Sequence, residues 1–415
     1  MNTFTYQLFL ASYIFGIRIA SLFNKKAQLW LKGRQNIFDT IHQAFSQNTS
    51  PVIWLHCASL GEFEQGRPLI EKLKKDYPHY KILLTFFSPS GYEVQQHYAL
   101  ADYVFYLPLD GKKSAKLFLD EVNPKLVIFV KYEYWYYYLK EINSRQIPLL
   151  LISAIFRKSQ PFFQPYGKLY RNMLQFYTQI FIQDFDSKKL LSNIGIRNIT
   201  VCGDTRVDRV LSVAQLWKPV EKIEKFCHHH KVIVCGSTWE EDDEELNHYV
   251  NKNMDIRFII APHEIDEDRL RECLSFYKHS ILYSEYLKTD SIENINTIII
   301  DNIGLLKRLY NYATICFIGG GFGGDGVHNV LEAAVYQKPL VFGPVYEKYL
   351  EAVELEEQGA AFPAENTLEL EEIFNQLFAD KVLYQKAAAA SERYIKNKSG
   401  ATLQIENYIR EHILK

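Results

Sequence analysis

Residues 314–332 have the sequence Thr-Ile-Cys-Phe-Ile-Gly-Gly-Gly-Phe-Gly-Gly-Asp-Gly-Val-His-Asn-Val-Leu-Glu. The apolar run Thr314–Ile318 predicts a short buried strand, and six glycines in the next eight residues predict a turn that opens a helix. Backbone amide groups in such a turn can approach a phosphate group or a sugar closely. The segment therefore predicts an α/β fold with a nucleotide or sugar site at the end of a strand.

The same glycines satisfy the dinucleotide-binding pattern G-x-G-x-x-G at Gly321, Gly323 and Gly326. That pattern also requires an acidic residue about 20 positions further on, at the end of the next strand. Here the next strand ends at Phe342-Gly343-Pro344, which contains no acid. The segment therefore disfavours a dehydrogenase.

Short apolar runs alternate with helical periodicity in both directions from this segment. This alternation predicts βαβ units and parallel sheets covered by helices. A polar stretch, Asp208–His230, interrupts it and is interpreted as a linker. We expect two doubly wound, Rossmann-like domains facing a central cleft, with ligands at the carboxyl ends of the strands. The predicted strands are Val52–Cys57, Lys81–Phe86, Tyr103–Leu107, Leu126–Val130, Leu149–Ser153, Gln179–Gln183, Lys231–Cys235, Ile256–Ala261, Thr297–Asp301, Thr314–Ile318 and Pro339–Phe342.

The N-terminus is unusually apolar. Arg18 is the only charged residue between Phe4 and Phe23, a stretch long enough to span a bilayer or to lie along one. The basic residues that follow suit the anionic cytoplasmic leaflet of a membrane. These residues are Lys25, Lys26, Lys32 and Arg34. The alternative is an amphipathic helix packed on the first domain.

Composition excludes several classes of protein. The formal net charge of −2 gives no global positive field, so we expect no nucleic-acid partner. The six cysteines form no Cys-x-x-Cys pair, which is typical of reduced thiols. Cys227 precedes three histidines, His228–His230, but four adjacent residues cannot converge on one ion, so we predict no metal site.

Two acids follow predicted strands of the first domain. Glu62 lies in Ala58–Glu64, a predicted loop before a helix that begins near Pro68, and Glu133 lies in Lys131–Trp135. A carboxylate at the end of a strand can act as a general base on an alcohol. Glu62 can equally complement a helix dipole, and Glu133 can be a surface acid beside aromatic side chains. Two acids at the ends of two strands of one sheet favour the catalytic interpretation.

The second domain contains a further turn, Gly236-Ser237-Thr238, suited to binding phosphate at a helix N-terminus. The acids of Glu240–Glu245 oppose an anion there, and we expect most of them to face solvent. His328 and Glu332 lie four residues apart, which predicts that they share one face of the helix after the glycines. Glu332 is a candidate acceptor of hydrogen bonds from ribose hydroxyls.

In this order, the segments resemble the nucleotide-binding half of GT-B glycosyltransferases and, more narrowly, the Kdo (3-deoxy-D-manno-octulosonic acid) transferase family. That family shows the patterns S-x-G-E, E-x-E-x-W, G-S-T, G-G-H-N-x-L-E-x-A and K-P-V-x-F-G-P. Their counterparts here are Ser59–Glu62, Lys131–Trp135, Gly236–Thr238, Gly319–Glu332 and Lys338–Pro344.

The resemblance implies roles for individual residues. Glu62 matches the catalytic base and Glu133 the second acid of E-x-E-x-W. The implied donor-binding residues are Ser237, Thr238, His263, Gly320, Gly321, His328, Asn329, Glu332 and Arg206, the last within a segment, Gly203–Asp208, that matches G-N-x-K-x-D.

The chain also departs from the family pattern at four places. Lys131 replaces the first Glu of E-x-E-x-W, and Trp239 stands where a His is common. Ala261-Pro262-His263 replaces P-R-H, so the Arg is missing, and one residue is inserted before His328 in the G-G-H pattern. These departures concern the phosphate contacts more than the reaction.

The resemblance implies a GT-B fold with a membrane-anchor helix in residues 1–35, an acceptor-binding domain in 36–210, a donor-binding domain in 211–400 and a helix in 401–415 that packs back on the first domain. The implied reaction transfers Kdo from CMP-Kdo to a lipid A precursor in lipopolysaccharide synthesis, with inversion and without metal or other cofactor. The implied location is the cytoplasmic face of the cell inner membrane.

Three alternatives stay open at this point. One is a GT-B transferase that uses a UDP-sugar donor for an envelope glycolipid. Another is a nucleotide-sugar epimerase, which needs neither a lipid acceptor nor an apolar anchor. The third is a catalytically inactive scaffold, although such a protein has no need of Glu62.

Overall fold

The structure is a computed structural model that describes residues 3–289, 293–324 and 326–414. The chain divides into two compact units. The first comprises Met1–Arg209 with Lys398–Lys415, and the second comprises Val210–Asn397. The polar stretch interpreted as a linker is largely helical, and the boundary between the units falls within one of its helices, Thr205–Gln215.

The first unit is built on a seven-stranded sheet in the order β3-β2-β1-β4-β5-β6-β7, with every neighbouring pair parallel. Strands β1 and β4 are buried at every residue, because helices cover both faces of the sheet. The strand order reverses between β1 and β4, which is where doubly wound folds bind ligands. The strands are β1 Val52–Cys57, β2 Lys81–Phe86, β3 Tyr103–Tyr106, β4 Leu126–Val130, β5 Leu149–Ala154, β6 Gln179–Ile182 and β7 Ile199–Val201.

Helices flank this sheet and precede it. They are α1 Thr3–Ala20, α2 Lys25–Lys32, α3 Ile37–Phe45, α4 Leu60–Asp76, α5 Pro89–Gln95, α6 Lys112–Val122, α7 Tyr136–Ser144, α8 Lys168–Leu174, α9 Phe185–Asn193 and α10 Thr205–Gln215. Helix α4 begins at Leu60, directly after its N-cap Ser59, and contains Pro68 in its interior. The prediction that this helix begins near Pro68 was wrong, because the N-cap precedes the proline by more than two turns.

The second unit contains another seven-stranded parallel sheet, in the order β10-β11-β9-β8-β12-β13-β14. Its strands are β8 Lys231–Thr238, β9 Ile256–Pro262, β10 Ser280–Leu282, β11 Thr297–Ile299, β12 Ile315–Ile318, β13 Leu340–Phe342 and β14 Ala361–Pro363. Its helices are α11 Glu221–Cys227, α12 Glu240–Lys252, α13 Glu267–Phe276, α14 Tyr283–Tyr286, α15 Leu306–Leu309, α16 Leu331–Ala334, α17 Leu350–Glu357, α18 Thr367–Ala379 and α19 Lys381–Lys398.

Helix α1 packs on the rest of the first unit through one narrow face, which contains Tyr6. Tyr6 is buried, and its hydroxyl donates to Asp110 Oδ2 at 2.7 Å. Asp110 also accepts from the first backbone amides of α7, so one carboxylate joins α1 to the sheet unit. Phe4, Leu8, Phe15 and Ile19 lie at helical spacing on the opposite face of α1 and are exposed.

No helix in the described part of the chain is both long and apolar enough to cross a membrane. Of the two possibilities that the sequence left open for Phe4–Phe23, spanning a bilayer or lying along one, this finding does not support the first.

Arg34 does not belong to the exposed basic flank that the sequence predicted. Its guanidinium lies 4.1 Å from the ring centroid of Trp30, and it donates to the backbone carbonyls of Trp30, Phe87 and Leu107. Burial lowers the pKa of Arg34 to about 10. Three carbonyl acceptors and the facing rings explain why this cation is stable inside the unit.

The last helix, α20 Ala401–His412, belongs to the first unit. Ala401, Ile405 and Ile409 enter the core on the side of the sheet that α4 also covers. Asp208 caps the start of α20, because its carboxylate accepts from the backbone amides of Gly400 and Thr402, both at 2.6 Å. The structural role of Asp208 is therefore to attach the C-terminal helix.

We predict that Asp208→Ala destabilises the first unit by about 1–2 kcal/mol, because the two amides lose a charged acceptor at a helix N-terminus. Urea unfolding followed by circular dichroism measures the change. Asp186→Ala, at an exposed acid in the first turn of α9, is the control and should leave the midpoint unchanged. Unchanged stability of Asp208→Ala would contradict the capping role.

Candidate functional site

Glu62 lies in the first turn of α4, not at the tip of a loop as the sequence predicted. Its carboxylate accepts a hydrogen bond from the hydroxyl of Ser59, the N-cap residue. The side chain is half-buried, so one part of it remains accessible to solvent. The serine hydroxyl therefore orients this carboxylate at the N-terminal end of the helix.

Glu133 follows β4 and is almost fully buried, with 2% of the residue exposed. Its Oε2 accepts from Trp135 Nε1 at 2.5 Å and lies 2.9 Å from His56 Nε2. Tyr177 holds the backbone of the same residue by donating its hydroxyl to the Glu133 carbonyl. The alternative interpretation, a surface acid beside aromatic side chains, is therefore wrong, and Glu133 is an enclosed acid paired with a histidine.

Cys57, the last residue of β1, lies close to both acids. Burial raises the pKa of its thiol well above the ordinary value, and the charges of Glu133 and Glu62 raise it further. Glu62 also contributes to the raised pKa of Tyr132, whose largest cause is burial. The carboxyl ends of β1 and β4 thus bring the two predicted acids into one electrostatic neighbourhood.

Arg206, the donor-binding residue predicted from the first unit, lies in the first turn of α10. Its Nη2 is 2.7 Å from Asp204 Oδ2, and its Nε is 2.8 Å from the same atom. Arg206 also lies close enough to lower the pKa of Tyr132. Asp204 therefore orients this cation, and Tyr132 lies close enough to feel the charges of both Arg206 and Glu62.

In the second unit, Asp242 binds the glycine turn, a role that the sequence did not indicate. Its Oδ2 accepts from the backbone amides of Gly320 at 2.7 Å and Trp239 at 2.9 Å, and its Oδ1 lies 3.4 Å from the amide of Phe322. Asp242 and its neighbour Asp243 are fully buried, contrary to the expected solvent-facing run of acids. Asp243 pairs with Arg269 and accepts from the hydroxyl of Tyr277.

The glycines of this turn also allow close contact between protein segments. A Cβ at Gly319 would lie 2.3 Å from the carbonyl oxygen of Ser237, and one at Gly321 would lie 2.5 Å from the amide nitrogen of Gly343. Gly320 has a φ of +89°, a conformation that favours glycine. Close packing and backbone conformation therefore explain why positions 319, 320 and 321 require glycine. No backbone atom crowds a Cβ at Gly323 or Gly324 in the same way.

Ser237 lies at a β-bulge between β8 and β9 and has a φ of +57°. Such strain in a non-glycine residue is common at functional sites. Thr238, beside it, is fully buried, and its carbonyl accepts from the amide of His263 at 2.9 Å. Of these two predicted donor-binding side chains, Ser237 is thus the more accessible.

Three rings form a stack at this end of the sheet. The centroids of Trp239 and His263 are 4.7 Å apart, and those of His263 and His328 are 4.4 Å apart. Trp239 Nε1 donates to His328 Nε2 at 2.9 Å. His328 lies in the loop before α16, which begins only at Leu331, so the prediction that His328 and Glu332 share a helical turn was wrong.

Glu332 lies in the first turn of α16. Its Oε1 accepts from Asn329 Nδ2 at 3.1 Å and lies 3.2 Å from Lys307 Nζ. The exposed Asn329 therefore sits beside a carboxylate that already has a cationic partner. The glycine turn, the ring stack and the Glu332 carboxylate all lie in segments that follow β8, β9 or β12. These three strands are the central strands of this sheet.

The fold is shared with nucleotide-sugar enzymes of known structure. A glycosyltransferase from Rickettsia africae has a TM-score of 0.55 and 16% identity, covering 89% of this chain and all of that chain. A UDP-GlcNAc 2-epimerase from Methanocaldococcus jannaschii has a TM-score of 0.51 and 16% identity, covering 86% of this chain and 99% of that chain. At such identities the likeness concerns the fold, which is of the GT-B type.

Sequence comparison is more specific. Residues 33–209 match the family of 3-deoxy-D-manno-octulosonic-acid transferases. The transferase of that name from Chlamydia trachomatis serovar A is 26% identical over 389 residues, which cover 90% of this chain and 88% of that protein. The one from Aquifex aeolicus is 27% identical over 344 residues, covering 81% of this chain and 88% of that protein.

A bifunctional glycosyltransferase/methyltransferase from Fusobacterium nucleatum is 28% identical over 367 residues. The match covers 82% of this chain but only 56% of that longer protein. The chain is thus a glycosyltransferase of the GT-B class. Its residues 33–209 match the Kdo transferase family, and relatives 26–27% identical over most of the chain carry that name, which agrees with the resemblance that the ordered motifs predicted.

We predict that Asp242→Asn destabilises the second unit by about 1–3 kcal/mol, because an amide group would leave a buried backbone N–H without an acceptor. Thermal unfolding followed by circular dichroism measures this loss. Glu244→Gln, two residues further on and exposed, is the matched control. Equal unfolding temperatures for both variants would contradict the proposed attachment of the glycine turn.

The difference in stability between the wild type and Asp242→Asn should depend on pH. Burial raises the pKa of Asp242 from 3.8 to about 6, so between these values the folded chain holds a proton that the unfolded chain releases. The contribution of this carboxyl to stability is therefore complete below pH 3.8 and is lost as the pH rises through 6. The stability advantage of the wild type over Asp242→Asn should grow as the pH falls from 7 to 5.

Proposed function

We propose that this protein transfers Kdo from CMP-Kdo to a lipid A precursor in lipopolysaccharide synthesis. The family match carries the proposal, because it includes the segment that holds both Glu62 and Glu133. Glu62 is the proposed general base, since it is the accessible member of the two acids. The second unit is proposed to bind the donor nucleotide through its glycine turn and Glu332.

The proposed chemistry is a single displacement. Glu62 takes the proton from a primary hydroxyl of the acceptor as that oxygen forms a bond to the anomeric carbon of Kdo. The bond from this carbon to the phosphate oxygen breaks, and CMP leaves with the electron pair. Backbone amides of the glycine turn stabilise the leaving phosphate, and the anomeric configuration inverts.

The direct test is incubation of the purified protein with CMP-Kdo and a lipid A precursor, followed by mass spectrometry of the lipid. The proposal expects the mass of the lipid to increase by one or more Kdo residues. UDP-sugars offered with the same acceptor should give no product. Transfer from a UDP-sugar alone would instead favour a different donor for the same fold.

We predict that Glu62→Gln lowers kcat by about 10²- to 10⁴-fold, the usual contribution of a general base, while CMP-Kdo binding is retained. Kinetics of Kdo transfer and calorimetry of donor binding give the two readouts. Glu64→Gln, on the same helix and paired with Arg67, is the control and should keep wild-type kcat. Wild-type turnover by Glu62→Gln would overturn the assignment of the base.

We propose further that the first unit works at an anionic membrane surface, on the cytoplasmic face of the inner membrane. The exposed apolar face of α1 supports this, since Phe4 and Phe15 are 70% and 65% exposed. Three lysines of α2, Lys25, Lys26 and Lys32, are exposed nearby and suit anionic headgroups. An apolar helix face that the unit leaves uncovered is costly in water and favourable in a lipid interface.

A groove between α1 and α2 supports the proposal that the acceptor is a lipid. Its volume is about 290 Å³, and its walls include Tyr13, Ile17, Trp30 and Phe87. The ring of Phe87 packs on Trp135 at a centroid distance of 4.6 Å, and Trp135 donates to Glu133. Apolar surface therefore continues from the proposed membrane face to the acids.

We predict that replacing Leu8 and Phe15 together by Asp reduces binding to anionic phospholipid vesicles by roughly tenfold or more, because burying each side chain contributes about 1.5–3 kcal/mol. Vesicle co-sedimentation measures the loss. Phe185→Asp, at an equally exposed phenylalanine of α9, is the matched control. Equal binding by the wild type and the double variant would contradict the proposed membrane face.

A further inference from the structure

Two rings of the stack in the second unit lie side by side. The planes of Trp239 and His328 are 15° apart, and their centroids are 6.3 Å apart. Trp239 Nε1 is only 2.9 Å from His328 Nε2, so the short contact between the two rings runs edge to edge. The ring of His263 lies over both, at centroid distances of 4.7 Å and 4.4 Å. A hydrogen bond near the plane of both rings therefore joins Trp239 to His328, and His263 covers one face of this pair.

The direction of this hydrogen bond fixes the protonation of His328. An indole nitrogen carries a hydrogen and can only donate it. His328 Nε2 must therefore present a lone pair, which leaves Nδ1 as the nitrogen that carries the hydrogen of the ring. An imidazolium has a hydrogen on both nitrogens, so protonation would place two hydrogens between nitrogens 2.9 Å apart. The ring of His328 is therefore neutral while this bond is made.

The backbone holds both rings in place. The amide of Trp239 donates to Asp242 Oδ2 at 2.9 Å, and the same oxygen accepts from the amide of Gly320 at 2.7 Å. The amide of His328 donates to the carbonyl of Gly319 at 3.0 Å. Glycine at position 320 also leaves room for the imidazole, since a Cβ there would lie 2.9 Å from His328 Cδ2. The glycine turn and its carboxylate therefore align the indole with the imidazole.

Charged and titratable groups reach the turn that holds His328 from several elements. They are Asp242 and Glu241 of α12, His263 after β9, Glu332 of α16 and Tyr349 before α17. Negative charge on these acids would favour a cation at position 328. The indole opposes them, because protonation of Nε2 would break its hydrogen bond and leave a half-buried N–H without this acceptor.

We infer that Trp239 is a positioning residue of the donor site and that it holds His328 as a neutral ring. The family pattern commonly has a histidine at position 239, and a histidine there could donate or accept a hydrogen bond. Indole permits one direction only. A phosphate at the glycine turn therefore binds without a positive charge from His328. That last step rests on the proposed function, whereas the protonation of His328 does not.

Nuclear magnetic resonance of the full chain, labelled with ¹⁵N in histidine, tests the protonation directly. Spectra are recorded at neutral pH and one pH unit below the ordinary histidine pKa of about 6.5. In the wild type we expect Nε2 of His328 to give the shift of a bare imine nitrogen at both values. In Trp239→Phe, which keeps an aromatic ring but loses the N–H, both ring nitrogens should become protonated at the lower value. A protonated Nε2 in the neutral wild type, or the same His328 signals in both proteins, would overturn the inference.

Trp217→Phe is the matched control. Trp217 lies in the same unit, and its Nε1 donates to the backbone carbonyl of Arg308, far from the ring pair in the sequence. This variant should give the His328 signals of the wild type. Those signals are identified by their loss in His328→Gln. If that variant does not fold, they are the signals that change in Trp239→Phe but not in Trp217→Phe, and the lack of any such ring would count against the inference.

Calorimetry of CMP binding at the same two pH values tests the consequence for the phosphate. The phosphate of CMP, His263 and Asp242 can titrate in both proteins, so the affinity of Trp239→Phe is divided by that of the wild type. This ratio should rise by roughly fivefold at the lower pH, because only the variant gains a cation near the phosphate. A constant ratio together with the expected spectra would overturn the role at the phosphate alone. If CMP does not bind the wild type, the proposed donor fails together with that role, and the spectra still decide the protonation of His328.

Discussion

The structure depends on parallel strands that are buried on both faces. Residues such as those of β1 and β4 have no contact with water, so polar chemistry within each sheet is confined to the carboxyl ends of its strands. His56 is one exception, because it is a polar residue inside a buried strand. Polar groups lie beside both of its ring nitrogens, since Nδ1 is 2.9 Å from Thr85 Oγ1 and Nε2 is 2.9 Å from Glu133 Oε2.

Carboxylates that are buried or half-buried hold distant segments of the chain together. Asp242 binds amides of the glycine turn, Asp110 binds amides of α7 and the hydroxyl of Tyr6, and Asp208 binds amides at the start of α20. In each case the acid is separated from its partners by many residues along the chain, so local sequence gives no indication of the pairing. The same chemical group therefore serves for attachment at three places and for the proposed catalysis at Glu62.

The sequence predicted the sheets better than the site. Long apolar runs such as Leu126–Val130 were assigned correctly, because only a buried strand explains five consecutive apolar residues in such a context. The three-residue strands β7, β10 and β14 were missed, whereas β11 and β13, which are equally short, lie within the apolar runs predicted as Thr297–Asp301 and Pro339–Phe342. Glu62 was misplaced in a loop because Pro68 was interpreted as a helix start, although Ser59 is the N-cap. Arg34 was assigned to a membrane-facing flank because its aromatic partners, apart from Trp30, lie far along the chain.

Three ring side chains at or beside departures from the family pattern meet in space. Trp239, His263 and His328 are far apart in the sequence, yet their rings form one stack, and the indole of Trp239 donates to His328. Trp239 stands where the family pattern commonly has a histidine, whereas His263 and His328 match the pattern and lie beside the missing arginine and the inserted residue. The indole offers a flat face to His263 and a single N–H to His328, which a histidine at position 239 would present with different reach and geometry. The ring at position 239 therefore contacts both of the histidines that match the family pattern, at the end of β9.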